Sequence, residues 1–128
     1  MPKYGGTGSA KMLNTNAQAT LISNERPGPG SPSYASIAVY LERQKSASYP
    51  WGFAVEVAFQ AAPGSFEVDI QGAETDQDTN YVTMGSITAV NSNNVGRFEG
   101  VNVYPRFVRL FVKSLANDVN VTSAIITR

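Results

Sequence analysis

The chain has 128 residues, with ten basic and ten acidic side chains, and it contains neither histidine nor cysteine. Imidazole and thiolate groups carry out most hydrolytic, redox and zinc chemistry near neutral pH. Their absence excludes Ser–His and Cys–His pairs, typical zinc sites, thiol redox couples and disulfides. We therefore expect a structural or binding protein of one domain, with no catalytic activity and no cofactor.

The first 33 residues are predicted to form an extended N-terminal arm and linker. Residues 26–32 read Arg-Pro-Gly-Pro-Gly-Ser-Pro, a run that suits neither a helix nor a central strand. Only residues 19–23 look like a short strand in this part of the chain. The larger apolar and basic side chains of the arm are the predicted partner contacts, and they are Lys3, Tyr4, Lys11, Met12, Leu13, Leu21 and Ile22.

Residues 34–128 are predicted to form a β-sandwich domain, because apolar and polar residues alternate with a period of two between turn signals. The clearest case is residues 51–59, where Trp51, Phe53, Val55, Val57 and Phe59 share one face. The predicted strands are 36–42, 51–59, 65–71, 81–90, 96–101, 107–113 and 119–127. With the N-terminal strand they number about eight, which predicts an all-β antiparallel jelly-roll β-sandwich with an extended N-terminal arm.

Charge is unevenly distributed along the chain. Residues 1–50 carry a net charge of +3, residues 51–100 carry −6, and residues 101–128 carry +3. This pattern either helps copies or partners to meet, or disappears when strand pairing mixes distant segments. Zero net charge argues against nucleic acid as a partner. No segment approaches the roughly 20 apolar residues that span a bilayer, and the polar N-terminus lacks the apolar core of a secretion signal.

Three groups of residues are candidate chemical sites. The acidic loop Glu74, Asp76 and Asp78 offers oxygen ligands for a hard cation, although a solvated loop explains it more simply. Glu67 and Asp69, with Glu56 on a neighbouring strand, resemble the paired carboxylates of glycosidases, but they also fit the polar face of a sheet. Tyr49 and Trp51 can stack on a sugar ring if they are exposed, or anchor the core if they are buried.

Residues 70–76 (Ile-Gln-Gly-Ala-Glu-Thr-Asp), 81–87 (Tyr-Val-Thr-Met-Gly-Ser-Ile) and 104–110 (Tyr-Pro-Arg-Phe-Val-Arg-Leu) together carry a resemblance. This pattern resembles β-sandwich proteins that are common in tailed bacteriophages, and more distantly discoidin-type carbohydrate-binding domains. A small histidine-free jelly roll with a polar N-terminal arm is similar to phage capsid decoration, or cement, proteins. The resemblance covers about residues 51–128 and assigns no binding residue.

The resemblance implies a structural virion protein that binds the outside of a phage head and locks neighbouring capsid subunits. Its expected partners are the major capsid protein and other copies of itself, as a dimer or trimer. Its expected location is the capsid surface, after assembly in the host cytoplasm. The alternative is a carbohydrate- or receptor-binding module of a phage head or tail, for which a glycan would be the ligand. If the protein decorates a capsid, we expect the arm to become ordered when it binds a neighbouring copy or a groove of the shell.

Overall fold

The computed structural model describes residues 18–41, 52–101 and 105–127, together with the backbone of residues 3–4 and 11–13. Within these residues the only helical element is a 3₁₀ turn, Asp78–Asn80. The strands in chain order are β1 (Lys3–Tyr4), β2 (Lys11–Leu13), β3 (Gln18–Glu25), β4 (Tyr34–Ala35), β5 (Val39–Leu41), β6 (Gly52–Phe59), β7 (Phe66–Ala73), β8 (Val82–Ile87), β9 (Val95–Val101), β10 (Phe107–Leu115) and β11 (Val121–Thr127).

The strands form nested antiparallel pairs. β3 pairs with β11, β4 and β5 pair with β10, β6 pairs with β9, and β7 pairs with β8. This is the pattern of one long hairpin rolled around a core. Pairing of β11 with β6, and of β10 with β7, then joins the pairs into two sheets. The result is a jelly-roll sandwich, which confirms the predicted fold class.

One sheet has the order β3-β11-β6-β9. In the other sheet, which we call the larger sheet, β10 is the central strand. On one side it pairs with β7, which pairs in turn with β8. On the other side it pairs with β4 and β5, the two halves of an interrupted strand. β1 and β2 add to the outer side of β4 and β5 as short parallel strands. If β4 and β5 are counted as one strand, and β1 and β2 as another, nine strands make up the sandwich.

The core lies between the sheets and is built from alternate residues of the long strands. Phe53, Val55, Val57 and Phe59 of β6 are buried, as the alternation predicts, and Trp51 lies outside the described residues. Inward residues of β7 and β10 complete this layer, and they are Phe66, Val68, Ile70, Val108, Leu110, Val112 and Leu115. Each fully buried aliphatic side chain contributes roughly 1.5–3 kcal/mol to stability.

The two sheets approach closely along β8 and β9 because glycines occupy inward positions there. A Cβ atom at Gly85 would collide with the ring of Phe98, and one at Gly96 would collide with Ile87. A larger side chain at either position would force the sheets apart or push Phe98 out of the core.

The strand predicted over residues 36–42 is interrupted, which corrects the sequence-based interpretation. Backbone pairing with β10 covers Tyr34–Ala35 and Val39–Leu41, and residues 36–38 form a break between them. Ser36 is fully buried at this break, and its Oγ accepts a hydrogen bond from the Leu110 N–H at 2.9 Å and donates one to the Ile37 carbonyl at 2.7 Å. The Ser36 N–H still donates to the Leu110 carbonyl at 2.8 Å, and the hydroxyl replaces the backbone acceptor that the break removes from the Leu110 N–H.

Replacing Ser36 with alanine is expected to destabilise the domain by about 1–3 kcal/mol, because the Leu110 N–H would be buried without a partner. Urea unfolding monitored by circular dichroism measures the change. Ser31→Ala, at an exposed position in the preceding loop, is the matched control and should leave stability unaltered. Equal stability of the two variants would contradict the bridging role of Ser36.

Tyr34 places a polar atom in the core. Its side chain is 1% exposed, and its hydroxyl has no hydrogen-bond partner among the described residues. Burial, reinforced by the negative charge of Glu25, raises the pKa of Tyr34 to about 12. The aromatic ring fills the core, while the hydroxyl costs desolvation without a compensating bond.

We expect Tyr34→Phe to raise stability at neutral pH by about 1 kcal/mol, because the ring is kept and the unpaired hydroxyl is removed. A raised tyrosine pKa contributes stability that is complete below the ordinary pKa of 10 and is lost as pH rises toward about 12. Urea unfolding at several pH values should therefore show a smaller alkaline loss in the variant. A Tyr34→Phe protein that is less stable at neutral pH would show that the hydroxyl has a partner.

Candidate functional site

The N-terminal segments lie at the edge of the larger sheet. Lys3 and Tyr4 are in register with Tyr34 and Ala35, and residues 11–13 are in register with residues 39–41. Both pairings are parallel, whereas the rest of the sandwich is antiparallel. Five of the predicted partner contacts, Lys3, Tyr4, Lys11, Met12 and Leu13, therefore belong to short strands that bind a sheet edge through the backbone.

The other two predicted partner contacts lie elsewhere. Leu21 is 3% exposed and Ile22 is 1% exposed, and both pack into the core from β3. β3 pairs with β11 from Gln18 to Glu25, so it is a structural strand of the sandwich although the predicted arm included it. Leu21 and Ile22 stabilise the domain itself, and their side chains are not exposed to a partner.

Ion pairs join the acidic middle of the chain to its basic C-terminal part. Arg106 pairs with Glu74, Arg109 with Asp78, and Lys113 with Glu67. At the opposite end of the sandwich Arg26 forms a two-pronged pair with Asp118, at 2.8 and 2.9 Å. Strand pairing thus mixes charges of both signs, which was the simpler of the two interpretations of the charge pattern.

The acidic loop does not gather its carboxylates around one point. Asp76 accepts a hydrogen bond from the Tyr81 hydroxyl at 2.6 Å, Asp78 binds Arg109, and Glu74 accepts a hydrogen bond from the Arg106 N–H at 3.3 Å. Among the described residues no group of three or more acidic side chains is arranged to hold a metal ion. The loop is fixed to the outer face of the larger sheet by these separate contacts.

Arg109 is the centre of that attachment. It points outward from β10, yet its side chain is only 3% exposed. Its Nε donates to the Gln71 side chain at 2.9 Å, its guanidinium binds Asp78, and the ring of Tyr81 lies 4.0 Å from it. Tyr81 also packs with Ala38, Ala73 and Phe107 in a small second apolar cluster. The loop therefore covers this face, and burial of a paired cation makes it costly to lift away.

The paired carboxylates Glu67 and Asp69 lie on the same outer face. Asp69 is 5% exposed, accepts a hydrogen bond from the Ser86 hydroxyl at 2.7 Å, and lies beside Thr83. A hydrogen bond with Asp69, together with desolvation and the Asp69 charge, raises the pKa of Glu67, while Lys113 at 3.4 Å opposes the shift. A neighbouring carboxylate of like charge disfavours the ionised form of Glu67 and so acts in this direction.

Glu56 does not join this pair. It lies on β6 in the other sheet, where it binds Arg97 at 2.8 Å, and Arg97 also binds Glu99 at 3.0 Å. The expectation that Glu56 neighbours Glu67 and Asp69 is therefore wrong, because β6 and β7 belong to different sheets. Because Asp69 is buried, Glu67 is the one carboxylate of the pair that a substrate can reach. Two-carboxylate hydrolysis needs both carboxylates beside the bond that is cleaved, which the buried Asp69 does not offer.

A pocket opens at the end of the larger sheet where β7 ends and β8 begins. Its volume is about 270 Å³, and its lining is mostly apolar: Gly72, Ala73, Glu74, Asn80, Val82, Met84 and Pro105. Gly72 continues the inward series of β7, and a Cβ atom there would lie 2.7 Å from the Met84 sulfur. A glycine at this position leaves the space that Met84 and Pro105 border. No sequence motif marked this pocket.

Comparison of the sequence with protein-family models finds no match, and no curated protein matches it either. Within the described part of the chain, no helix has the length and apolar character required to cross a membrane. The fold and the geometry of its surfaces are therefore the basis for any functional proposal.

The carboxylate pair predicts a characteristic pH dependence for Glu67→Gln. A raised pKa means that the native state favours protonated Glu67, so this stabilisation is complete below the ordinary value of 4.5 and is lost as pH rises above it. The glutamine variant cannot ionise and keeps a donor for Asp69. We therefore expect Glu67→Gln to become more stable relative to the original protein between acidic and neutral pH.

Urea unfolding at a series of pH values measures this difference. Glu99→Gln is the matched control, because Glu99 lies on the other sheet and faces a cation instead of a carboxylate. A stability difference that is constant with pH for Glu67→Gln would contradict the raised pKa of Glu67.

Proposed function

We propose that the protein is a structural protein of a bacteriophage particle that decorates the outside of the head and locks neighbouring capsid subunits. The observation that carries this proposal is the behaviour of the N-terminal segments. β1 and β2 bind an edge of the jelly roll through backbone pairing and connect to the sandwich through residues 14–17. A segment that adds to sheet edges in this way suits attachment to an edge on a shell subunit or on another copy.

Charge supports the same role. Residues 1–24 contain Lys3 and Lys11 and no acidic residue, so this segment is attracted to an acidic shell surface. Each such contact is weak at an exposed position, but a particle presents many copies, and linked contacts strengthen binding far beyond a single one. The major capsid protein and further copies of the chain, as a dimer or trimer, are the proposed partners. The proposed location is the capsid surface.

The described polar groups also favour a structural role over catalysis. Asp69 and Arg109 are buried and hydrogen-bonded, and the carboxylates of the acidic loop have separate partners that hold the loop to the sheet. Groups fixed in this way stabilise a surface of defined shape, which a protein that packs between shell subunits requires.

Carbohydrate or receptor binding at a head or tail is the alternative. It depends on exposed aromatic rings, and the two strongest candidates, Tyr49 and Trp51, lie outside the described residues. Tyr40 and Phe107 are half-buried and pack edge to face at 5.3 Å, so neither presents a free flat ring. A glycan array distinguishes this alternative directly.

Deletion of residues 1–17 is expected to reduce binding to heads that lack the protein by at least roughly tenfold, because multivalent attachment is lost. β3 begins at Gln18 and remains intact, so the melting temperature should change little. Co-sedimentation with purified heads measures binding, and circular dichroism measures melting.

In a second variant, which keeps the full length, residues 3–4 and 11–13 are replaced by glycine and serine. It removes the side chains of β1 and β2 but not the segment itself, so it separates the effect of composition from that of length. Ser31→Glu, in the exposed loop at the other end of β3, is the matched control and should bind normally. Full occupancy of heads by both N-terminal variants would refute the proposal.

A further inference from the structure

β8 forms the edge of the larger sheet opposite β1 and β2. It pairs with β7 on one side, and within the described residues no strand pairs with its other side. Val82 begins this edge and is 65% exposed, the one large apolar side chain of the described chain that is exposed to this degree. An exposed edge of this kind offers unpaired backbone N–H and C=O groups to another extended chain.

The pocket described above lies at the start of this edge. Val82 and Met84 of β8 form part of its lining, so a strand that pairs with β8 would carry alternate side chains past its mouth. Its volume of about 270 Å³ lies below the usual range for drug-sized ligands, which is roughly 300–1,000 Å³. It is of a size for one aliphatic side chain. Among the described residues that line it none is aromatic, which disfavours a sugar ring as the occupant.

The rim of the pocket carries one acidic side chain, Glu74. The Glu74 side chain is 64% exposed while its carboxylate lies 3.9 Å from the Arg106 guanidinium and accepts a hydrogen bond from the Arg106 N–H at 3.3 Å. A cationic side chain beside the pocket would therefore be attracted to this rim.

From these three features we infer that β8 and the pocket form a binding site for an extended polypeptide segment with a basic residue two positions from an aliphatic one, so that both side chains share one face of the added strand. The segment adds to β8 as a strand, its aliphatic side chain enters the pocket beside Met84, and its basic side chain meets Glu74. Backbone pairing supplies affinity, and the pocket and rim supply selectivity. The site lies on the opposite sheet edge from the N-terminal strands, so it stands or falls independently of the proposed capsid attachment.

The test uses the full-length protein and a fluorescein-labelled peptide with the sequence of residues 9–15, Ser-Ala-Lys-Met-Leu-Asn-Thr, which has the required composition. Fluorescence anisotropy should show saturable binding. Val82→Lys should weaken it at least roughly tenfold, since an anchor residue dominates small interfaces. Glu74→Gln should weaken it roughly two- to fivefold, as expected for an exposed ion pair. A peptide with Met12 and Leu13 replaced by serine should not bind.

Thr88→Lys is the matched control, because Thr88 is exposed and directly follows the other end of the same strand. It should bind the peptide as the original protein does. Amide chemical shifts identify the location, and residues 82–87 should change on binding. Absence of binding, equal affinity of Val82→Lys and the original protein, or shifts confined to residues 34–41 would each overturn the inference. The last outcome would mean that the peptide exchanges with β1 and β2 instead.

Discussion

The pairing of the first long strand with the last holds this domain together. β3 and β11 meet across almost the whole sequence, and β11 is in turn paired along β6, so the four-stranded sheet forms only when the chain ends come together. Closing so long a loop costs entropy before any contact compensates it, which makes this topology slow to fold. β3 is therefore a structural strand of the sandwich, although the proline- and glycine-rich residues 26–32 follow it directly. Without β3, one side of β11 would be unpaired, and the core would lose Leu21 and Ile22.

The larger sheet depends on β10 in a comparable way, but both of its faces are used. Val108, Leu110 and Val112 fill the core on one side, as their alternation predicts. On the other side Arg109 is buried under a loop that the chain supplies after β7, with Asp78 and Tyr81 as its main contacts. The side chain at an outward position of a sandwich strand is usually exposed to solvent. Here Arg109, Asp78 and Tyr81 fix a loop beside the pocket. The shape of that end of the larger sheet therefore depends on the paired charge of Arg109.

Local sequence pattern was sufficient for the strands and insufficient for what covers them. Period-two alternation identified β6, β7 and β10 and the faces they bury, since that periodicity is a property of each strand alone. It could not show that Asp69 and Arg109 are buried on the outer face, because their cover comes from Ser86 and from a loop distant in sequence. The break at Ser36 was missed for a related reason. A serine that replaces backbone pairing looks like any polar residue in a strand until its partner, Leu110, is known. The pocket depends on Gly72, whose missing side chain leaves no pattern.

The polar chemistry of the described sandwich serves mainly to hold the structure, so its edges are the places where backbone remains open to another molecule. One edge of the larger sheet is covered by β1 and β2, which pair with it over two and three residues. The opposite edge is β8, with an apolar pocket and the carboxylate of Glu74 beside it. Because the two edges face away from each other across the sheet, contacts at both would place one molecule between two neighbours. Contacts of that kind would suit the proposed role of connecting neighbouring subunits.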